Sequence, residues 1–286
     1  MALPFLNGFA RKKRDQIIAV DLGNRTTKAV LLERRGGVLA LCRYALLDAP
    51  IYERKMSAEL LSEHLRSVAE ALGNPTKYIT LAVGLDDALV RQVELPQIPM
   101  DEMRLVLKNN SKAYLQQDLP NHVFDCYVFP PRAAANGKPA EPAKTPAIPK
   151  LKVLVTGAKQ QLVNDFQTAA KNAGLIPECI VPGLVGPMNA FELANPQAFE
   201  NEAVALVDIG FKYTSVCVLD HGELALTRTV NIGGDKLTAG LAETMSISYA
   251  EAEGIKVGMA PEVQSTLENQ VQPLGRELRA SLDFFE

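Results

Sequence analysis

Two stretches decide the fold. The first is Ile17-Ile18-Ala19-Val20-Asp21-Leu22-Gly23-Asn24-Arg25-Thr26-Thr27-Lys28; its echo is Val204-Ala205-Leu206-Val207-Asp208-Ile209-Gly210-Phe211-Lys212-Tyr213-Thr214-Ser215. In each, an apolar strand runs into Asp-apolar-Gly, a tight polar turn and a second apolar strand, Ala29-Val30-Leu31-Leu32 or Val216-Cys217-Val218-Leu219. A further turn follows, Arg35-Gly36-Gly37 or Asp220-His221-Gly222, and then a third strand. A single Asp-x-Gly after a strand is an ordinary hairpin turn. Two of them in matching three-strand contexts predict two related lobes facing one cleft.

Such a cleft suits phosphate and a divalent metal. Gly23 and Gly210 lack the Cβ that would hold the backbone away from a bulky anion, and successive turn amides form an anion-binding concavity. Lys28 is a point charge within reach of a phosphate oxygen, while Thr26, Thr27 and Thr214 offer hydroxyls to others. Asp21 and Asp208 would repel phosphate directly. They are therefore expected to act through Mg²⁺ or its water shell, the usual mode for that ion, and they are also the candidate catalytic groups.

Working outward, Asn231-Ile232-Gly233-Gly234-Asp235 opens a helix and combines flexible amides with a helix N-terminus, a second anion-friendly place. Ser248 and Glu251 fit a capping box. Glu253 and Lys256 are three apart on one helix face. They read either as a surface ion pair contributing about 1 kcal/mol at most or as a polar clasp for a nucleoside, and spacing does not separate the two.

Composition excludes several classes. The 286 residues, 47% apolar and 22% charged, suffice for two compact lobes. A net charge of −3, with no basic stripe interleaved with aromatics, argues against a nucleic-acid partner. Cys42, Cys126, Cys179 and Cys217 form no Cys-x-x-Cys pair and are expected to be buried free thiols in a reducing compartment. His64, His122 and His221 show no metal-site spacing. No apolar run is long enough to span a bilayer. At the N-terminus Leu3, Phe5, Leu6 and Phe9 precede Arg11-Lys12-Lys13-Arg14, the reverse of a signal peptide. A flexible basic tail is expected there, weighed against a weak interfacial foothold.

Between the meanders, Ser57 is expected to cap a helix whose stripe is Leu60, Leu61, Leu65, Val68, Ala69 and Leu72, closed by Gly73 and Pro75. Strands are expected over 78–83, 88–95, 123–129 and 151–156, and helices over 101–117 and 159–173. The Pro- and Ala-rich stretch 130–150 lies between two strands and is expected to be a mobile hairpin tip. A strand near Ile180 leads into a helix ending near Asn195.

Taken together, Asp21-Leu22-Gly23 with Lys28, Asp208-Ile209-Gly210 with Thr214, Gly233-Gly234-Asp235 and Ala252-Glu253-x-x-Lys256 resemble the actin/Hsp70/sugar-kinase ATPase superfamily. Within it, Asn231-Ile232-Gly233-Gly234-Asp235-Lys236-Leu237-Thr238 and Ser246-Ile247-Ser248-Tyr249-Ala250-Glu251-Ala252-Glu253 are similar to the type IV pilus assembly PilM family, relatives of the cell-division protein FtsA. Val93-Glu94-Leu95-Pro96 and Asp125-Cys126-Tyr127-Val128 look like that family's inserted subdomain. The resemblance runs from Gln16 onward.

It implies an α/β, actin-like, two-lobed fold, each lobe a mixed five-stranded ribonuclease-H-like sheet flanked by helices, with a small α+β subdomain inserted. Residues 15–84 and 159–200 would form the first lobe, 85–158 a partner-binding insertion, and 201–286 a second lobe incomplete at its C-terminus. ATP and Mg²⁺ are the implied cofactors. Asp21, Gly23, Asn24, Thr27 and Lys28 would form the first phosphate loop and Asp208, Gly210 and Thr214 the second. Gly233 and Gly234 would lie near the phosphates, with Glu253 and Lys256 at the adenosine. Activity would be at most that of a weak ATPase. The implied setting is cytoplasmic, peripheral to the inner membrane through the tail of a PilN-like partner, with self-association through the insertion. Alternatives of the same fold are an FtsA-like filament-forming tether and a scaffold without nucleotide; a true phosphotransferase is a third.

Three departures stand out. Asn24 replaces a Ser or Thr; Phe211, Lys212 and Tyr213 crowd the second loop; and the chain ends at Glu286, where the family's second adenosine loop would follow.

Overall fold

Sheet order follows from the meanders. The computed structural model describes residues 14–50, 57–84, 86–129, 149–258 and 263–285. Residues 1–13 of the expected flexible basic tail, 1–14, and most of the Pro/Ala-rich tip fall outside these residues. Arg14 is instead held, its Nη2 2.8 Å from Glu178 Oε1 and its guanidinium 3.6 Å from the Tyr78 ring centroid. In the first lobe β1 (Gln16–Leu22), β2 (Thr26–Arg35) and β3 (Val38–Asp48) run antiparallel. The strands β4 (Tyr78–Val83) and β8 (Ile176–Pro182) add in parallel to give a mixed five-stranded sheet, order β3-β2-β1-β4-β8. Parallel pairing needs crossovers. Helix α1 (Ala58–Ala71) makes the first and α3 (Gln160–Asn172) precedes β8.

Helix α1 forms where its stripe predicts. Ser57 Oγ accepts from the Leu60 N–H at 3.2 Å, capping the first turn. At the far end Gly73 takes φ +79°, and a Cβ there would meet Arg43 Nη1 at 2.2 Å. The space lets Arg43 donate to the Leu72 carbonyl at 2.9 Å. Leu61, Leu65, Val68 and Leu72 bury against Ile18, Val20, Leu31, Ile79 and Leu81, together with Ala169 and Ala170 of α3.

A separate antiparallel sheet, order β5-β7-β6, is made by β5 (Ala88–Pro96), β6 (His122–Val128) and β7 (Lys150–Lys159). Helix α2 (Met100–Leu115) covers one face through Met103, Leu107 and Leu115. The other face joins the second lobe. Val90, Phe129 and Leu154 share one core with Leu184, Val185, Met188, Phe199, Cys217, Leu219 and Leu224. Helices α4 (Val185–Ala194) and α5 (Pro196–Asn201) thus bury against the second sheet, although the sequence reading assigned residues through 200 to the first lobe.

The second lobe repeats the opening meander with β9 (Ala203–Ile209), β10 (Thr214–Asp220) and β11 (Glu223–Val230). Among the described residues this sheet has three strands rather than five, with β9 at its edge. Helices α6 (Gly234–Met245), α7 (Tyr249–Gly258) and α8 (Gln264–Asp283) follow. The repeat extends to the turns. Gly36 and Gly37, like His221 and Gly222, both take positive φ, the twist that short hairpins demand. No helix among the described residues is long and apolar enough to cross a membrane. The four cysteines are free, but only Cys217 is fully buried and the others are half-buried, so the expectation of buried thiols holds for one of them. Burial pushes the Cys126 and Cys217 thiols up to about 12, so both stay protonated.

Candidate functional site: an interlobe cleft between twin hairpins

The two hairpins have the same register. Asp21 lies opposite Lys28 and Leu22 opposite Thr27; Asp208 lies opposite Ser215 and Ile209 opposite Thr214. Side chains alternate along a strand, so each Asp faces one side of its sheet and each Thr the other. On the Asp side the two hairpins meet. Asp21, Gly23, Asn24, Arg25, Thr26 and Lys28 line a cavity of about 290 Å³ together with Asp208, Gly210, Phe211, Tyr213 and Ser215. Gly84 and Gly183 close it from the first lobe's crossover ends. The volume is near the lower bound of ordinary small-ligand pockets.

On the Thr side the hydroxyls are already committed, which corrects their assignment as phosphate donors. Thr27 is fully buried, its Oγ1 2.8 Å from His64 Nε2. Thr214 is fully buried and donates to the Ile232 carbonyl at 2.6 Å. His64 is held below its ordinary pKa by burial, in keeping with a neutral ring. Both threonines pin their hairpins to the core beneath the cleft.

The reading of the Gly233-Gly234-Asp235 helix start as an anion-friendly place needs a similar correction. The Gly234 N–H donates to the Gly210 carbonyl at 2.9 Å and the Asp235 N–H to the Phe211 carbonyl at 2.8 Å. These amides of the α6 N-terminus hold the second loop, so they are not available to an anion. Gly233 is required by that packing, because a Cβ there would come within 2.4 Å of the Phe211 carbonyl oxygen. The loop glycines act in the same way. A Cβ on Gly23 would meet the Thr26 carbonyl oxygen at 2.5 Å, and one on Gly210 the Tyr213 carbonyl oxygen at 2.9 Å. Close turn geometry accounts for them without a ligand.

Glu253 and Lys256 do not line the cavity; they form a half-buried cluster beside it. Lys256 Nζ lies 2.7 Å from Glu253 Oε2, donates to Thr238 Oγ1 at 2.6 Å and reaches the Gly234 carbonyl at 3.1 Å. From the first lobe Arg25 Nη1 donates to Glu253 Oε1 at 2.6 Å. Burial alone would raise the Glu253 pKa, but hydrogen bonds from Lys256, Thr238 and Arg25 outweigh it and hold the carboxyl at about 2. Ser248 and Glu251 do form the reciprocal capping box, with Ser248 N to Glu251 Oε2 at 3.0 Å and Glu251 N to Ser248 Oγ at 3.3 Å.

Sequence reasoning missed Arg25. Its partner is far along the chain and a lone arginine in a turn carries no spacing signal. The guanidinium also lies 5.3 Å from the Phe211 ring centroid. Lys28 Nζ is 3.5 Å from Asp21 Oδ2 in an exposed pair, so it is loosely held and free to move.

Two lobes carrying the same β-meander, with opposed aspartates on one cleft, define an actin-like protein. The family profile described as type IV pilus assembly protein PilM matches residues 19–286. The chain belongs to that family. A solved PilM-PilN type IV pilus biogenesis complex superposes with a TM-score of 0.75 at 20% identity, over 96% of this chain and 78% of that one. MreB5 of Spiroplasma citri, solved with ADP, gives a TM-score of 0.41 at 12% identity, over 84% and 61% of the two chains. Cell division protein FtsA of Bacillus subtilis (strain 168) is 30% identical over 103 residues, 36% of this chain. That match spans only 22% of the FtsA length.

Proposed function

We propose that this chain is a scaffold of a type IV pilus assembly machine, holding a Mg²⁺-nucleotide between its lobes and docking the cytoplasmic tail of a PilN-like inner-membrane protein. Its place would be the cytoplasmic face of the inner membrane, reached through that partner. The observation that carries the reading is the sharing of one cavity by Asp21 and Asp208, in a chain of the PilM family. The donor set suits the ion. Among the described residues no cluster of three His, Cys, Asp or Glu could hold a metal alone. Two opposed carboxylates suit a cation that keeps its waters and bridges to phosphate. Mg²⁺ would neutralise phosphate charge facing those carboxylates. Lys28 would leave Asp21 for a phosphate oxygen, and contacts from both hairpins would favour one lobe arrangement.

A second cavity, of about 150 Å³, suits the partner's tail. It lies between two sheet edges, Val123–Asp125 of β6 and Ile180–Pro182 of β8, with Val83, Val163 and Ala158 in its wall. Open edges offer backbone hydrogen bonds and the apolar wall offers side-chain contacts, the usual recognition of an extended peptide. Titration of a PilN-like tail peptide, with and without Mg²⁺-ATP, tests the proposal. Binding that is lost in Ile180→Asp is expected; a folded protein that ignores the peptide in both conditions would overturn it.

One observation favours a second reading, a scaffold of the same fold that works without nucleotide. Phe211 and Tyr213 occupy cleft wall, and the amides of Gly234 and Asp235 are committed to the loop. Calorimetry with Mg²⁺-ATP separates the two, since only the first predicts heat that disappears in Asp21→Ala and Asp208→Ala.

A further inference from the structure

Arg25 stands at the tip of the first hairpin, on the wall of the cleft, and yet its strongest contact is to the opposite lobe. Its guanidinium bridges to Glu253 on α7 and rests near the ring of Phe211 from the second hairpin. The side chain is 47% exposed and therefore has room to turn, whereas Glu253 is mostly enclosed at 17%. Glu253 does not depend on Arg25, because Lys256 and Thr238 also donate to it. If Arg25 left, the carboxylate would remain paired.

Charge gives Arg25 a second destination. The charged residues lining the cleft are Asp21 and Asp208 against Arg25 and Lys28. A polyphosphate entering there adds several negative charges, and a guanidinium binds phosphate bidentately at least as well as it binds carboxylate.

We propose that Arg25 is a two-position switch, for which Glu253 and the phosphates of a nucleotide compete. This rests on the reading of the cleft as a nucleotide site. Paired with Glu253, Arg25 clasps the first hairpin to α7 across the mouth of the cleft. Turned to phosphate, it releases α7 and reports occupancy of the cleft to the second lobe.

The test uses Mg²⁺-tripolyphosphate, which has no ribose or base for Glu253 to touch, alongside Mg²⁺-ATP. Glu253→Gln weakens the competing anion while keeping Arg25, so affinity for tripolyphosphate is expected to rise about three- to fivefold, the scale of one partly exposed ion pair. Arg25→Gln should lower it, and the double variant should lose the gain. In the protein without nucleotide, Arg25→Gln should speed amide exchange in α7 and in residues 22–26, leaving the core of β1 and β2 unchanged. ATP binding to the wild type together with no gain in Glu253→Gln, or a gain that survives in the double variant, would overturn the switch and leave the cleft reading intact. Unchanged exchange in Arg25→Gln would also overturn it. A wild type that binds neither ligand overturns both.

Discussion

The Tyr213 phenol is hydrogen-bonded to the Asp86 carboxyl, which ties the second hairpin to the residues that lead into the inserted sheet. Burial pushes the Asp86 pKa above its ordinary value near 3.8, and the bond from Tyr213 only partly opposes this. A raised carboxyl pKa stabilises the fold below the unfolded value, and that contribution is lost as pH rises through the folded value. Asp86→Asn keeps an acceptor for the phenol and removes the charge. Thermal unfolding should show a gain of about 1–2 °C at pH 7 and none at pH 3. Equal gains at both pH values would contradict the assignment.

Thr27 and Thr214 offer a direct contrast with the aspartates above them. Replacing either by Val removes a buried hydroxyl and leaves His64 or the Ile232 carbonyl short of a partner, at a cost of about 1–3 kcal/mol in chemical unfolding. Affinity for Mg²⁺-ATP in the folded variants should change by less than about twofold, a difference well below one hydrogen bond. A loss as large as that of Asp208→Ala would return these hydroxyls to the cleft.

Glycines separate in the same manner. Gly233→Ala drives a Cβ into the Phe211 and Gly210 carbonyls and should cost about 1–3 kcal/mol while disordering the second loop. Gly254 lies inside α7 with nothing within 4 Å of an added Cβ. Gly254→Ala should therefore gain up to about 1 kcal/mol from helix propensity. Urea titrations of the two variants check both signs.

Glu253 sets a pH dependence. Its folded pKa of about 2 is below the ordinary 4.5, so its contribution is full above the unfolded value and fades as pH falls through the folded one. Glu253→Gln should be less stable than the wild type at pH 7, and the difference should shrink steadily from about pH 4.5 toward pH 2. A gap that persists at the acid end would mean that packing, and not the ion cluster, holds α7.

Much of this was legible in the chain. The repeated Asp-apolar-Gly gave the twin hairpins, and the helical stripe from Leu60 to Leu72 with its Ser57 cap gave α1. The fate of the threonines was also readable: strand alternation puts Thr27 opposite Leu22, on the apolar face. Other features depend on contacts between distant residues. That Gly234 and Asp235 spend their amides on Gly210 and Phe211 follows only from how the second loop packs on α6, and Arg25 meets Glu253 only because two lobes face each other. Helix α8 carries Leu267, Val271, Leu274 and Leu278 at helical spacing, but Pro273 inside it is a residue that ordinarily ends a helix and so obscures that stripe.

The core shared by the insertion and the second lobe has a mechanical corollary. Val90, Phe129 and Leu154 are locked to Cys217, Leu219 and Leu224, so those two bodies travel as one lever. Val83, at the end of β4, forms part of the wall of both the aspartate cleft and the opening between β6 and β8. A rotation of that lever against the first sheet therefore alters the width of both openings at once, with Val83 as their common jamb.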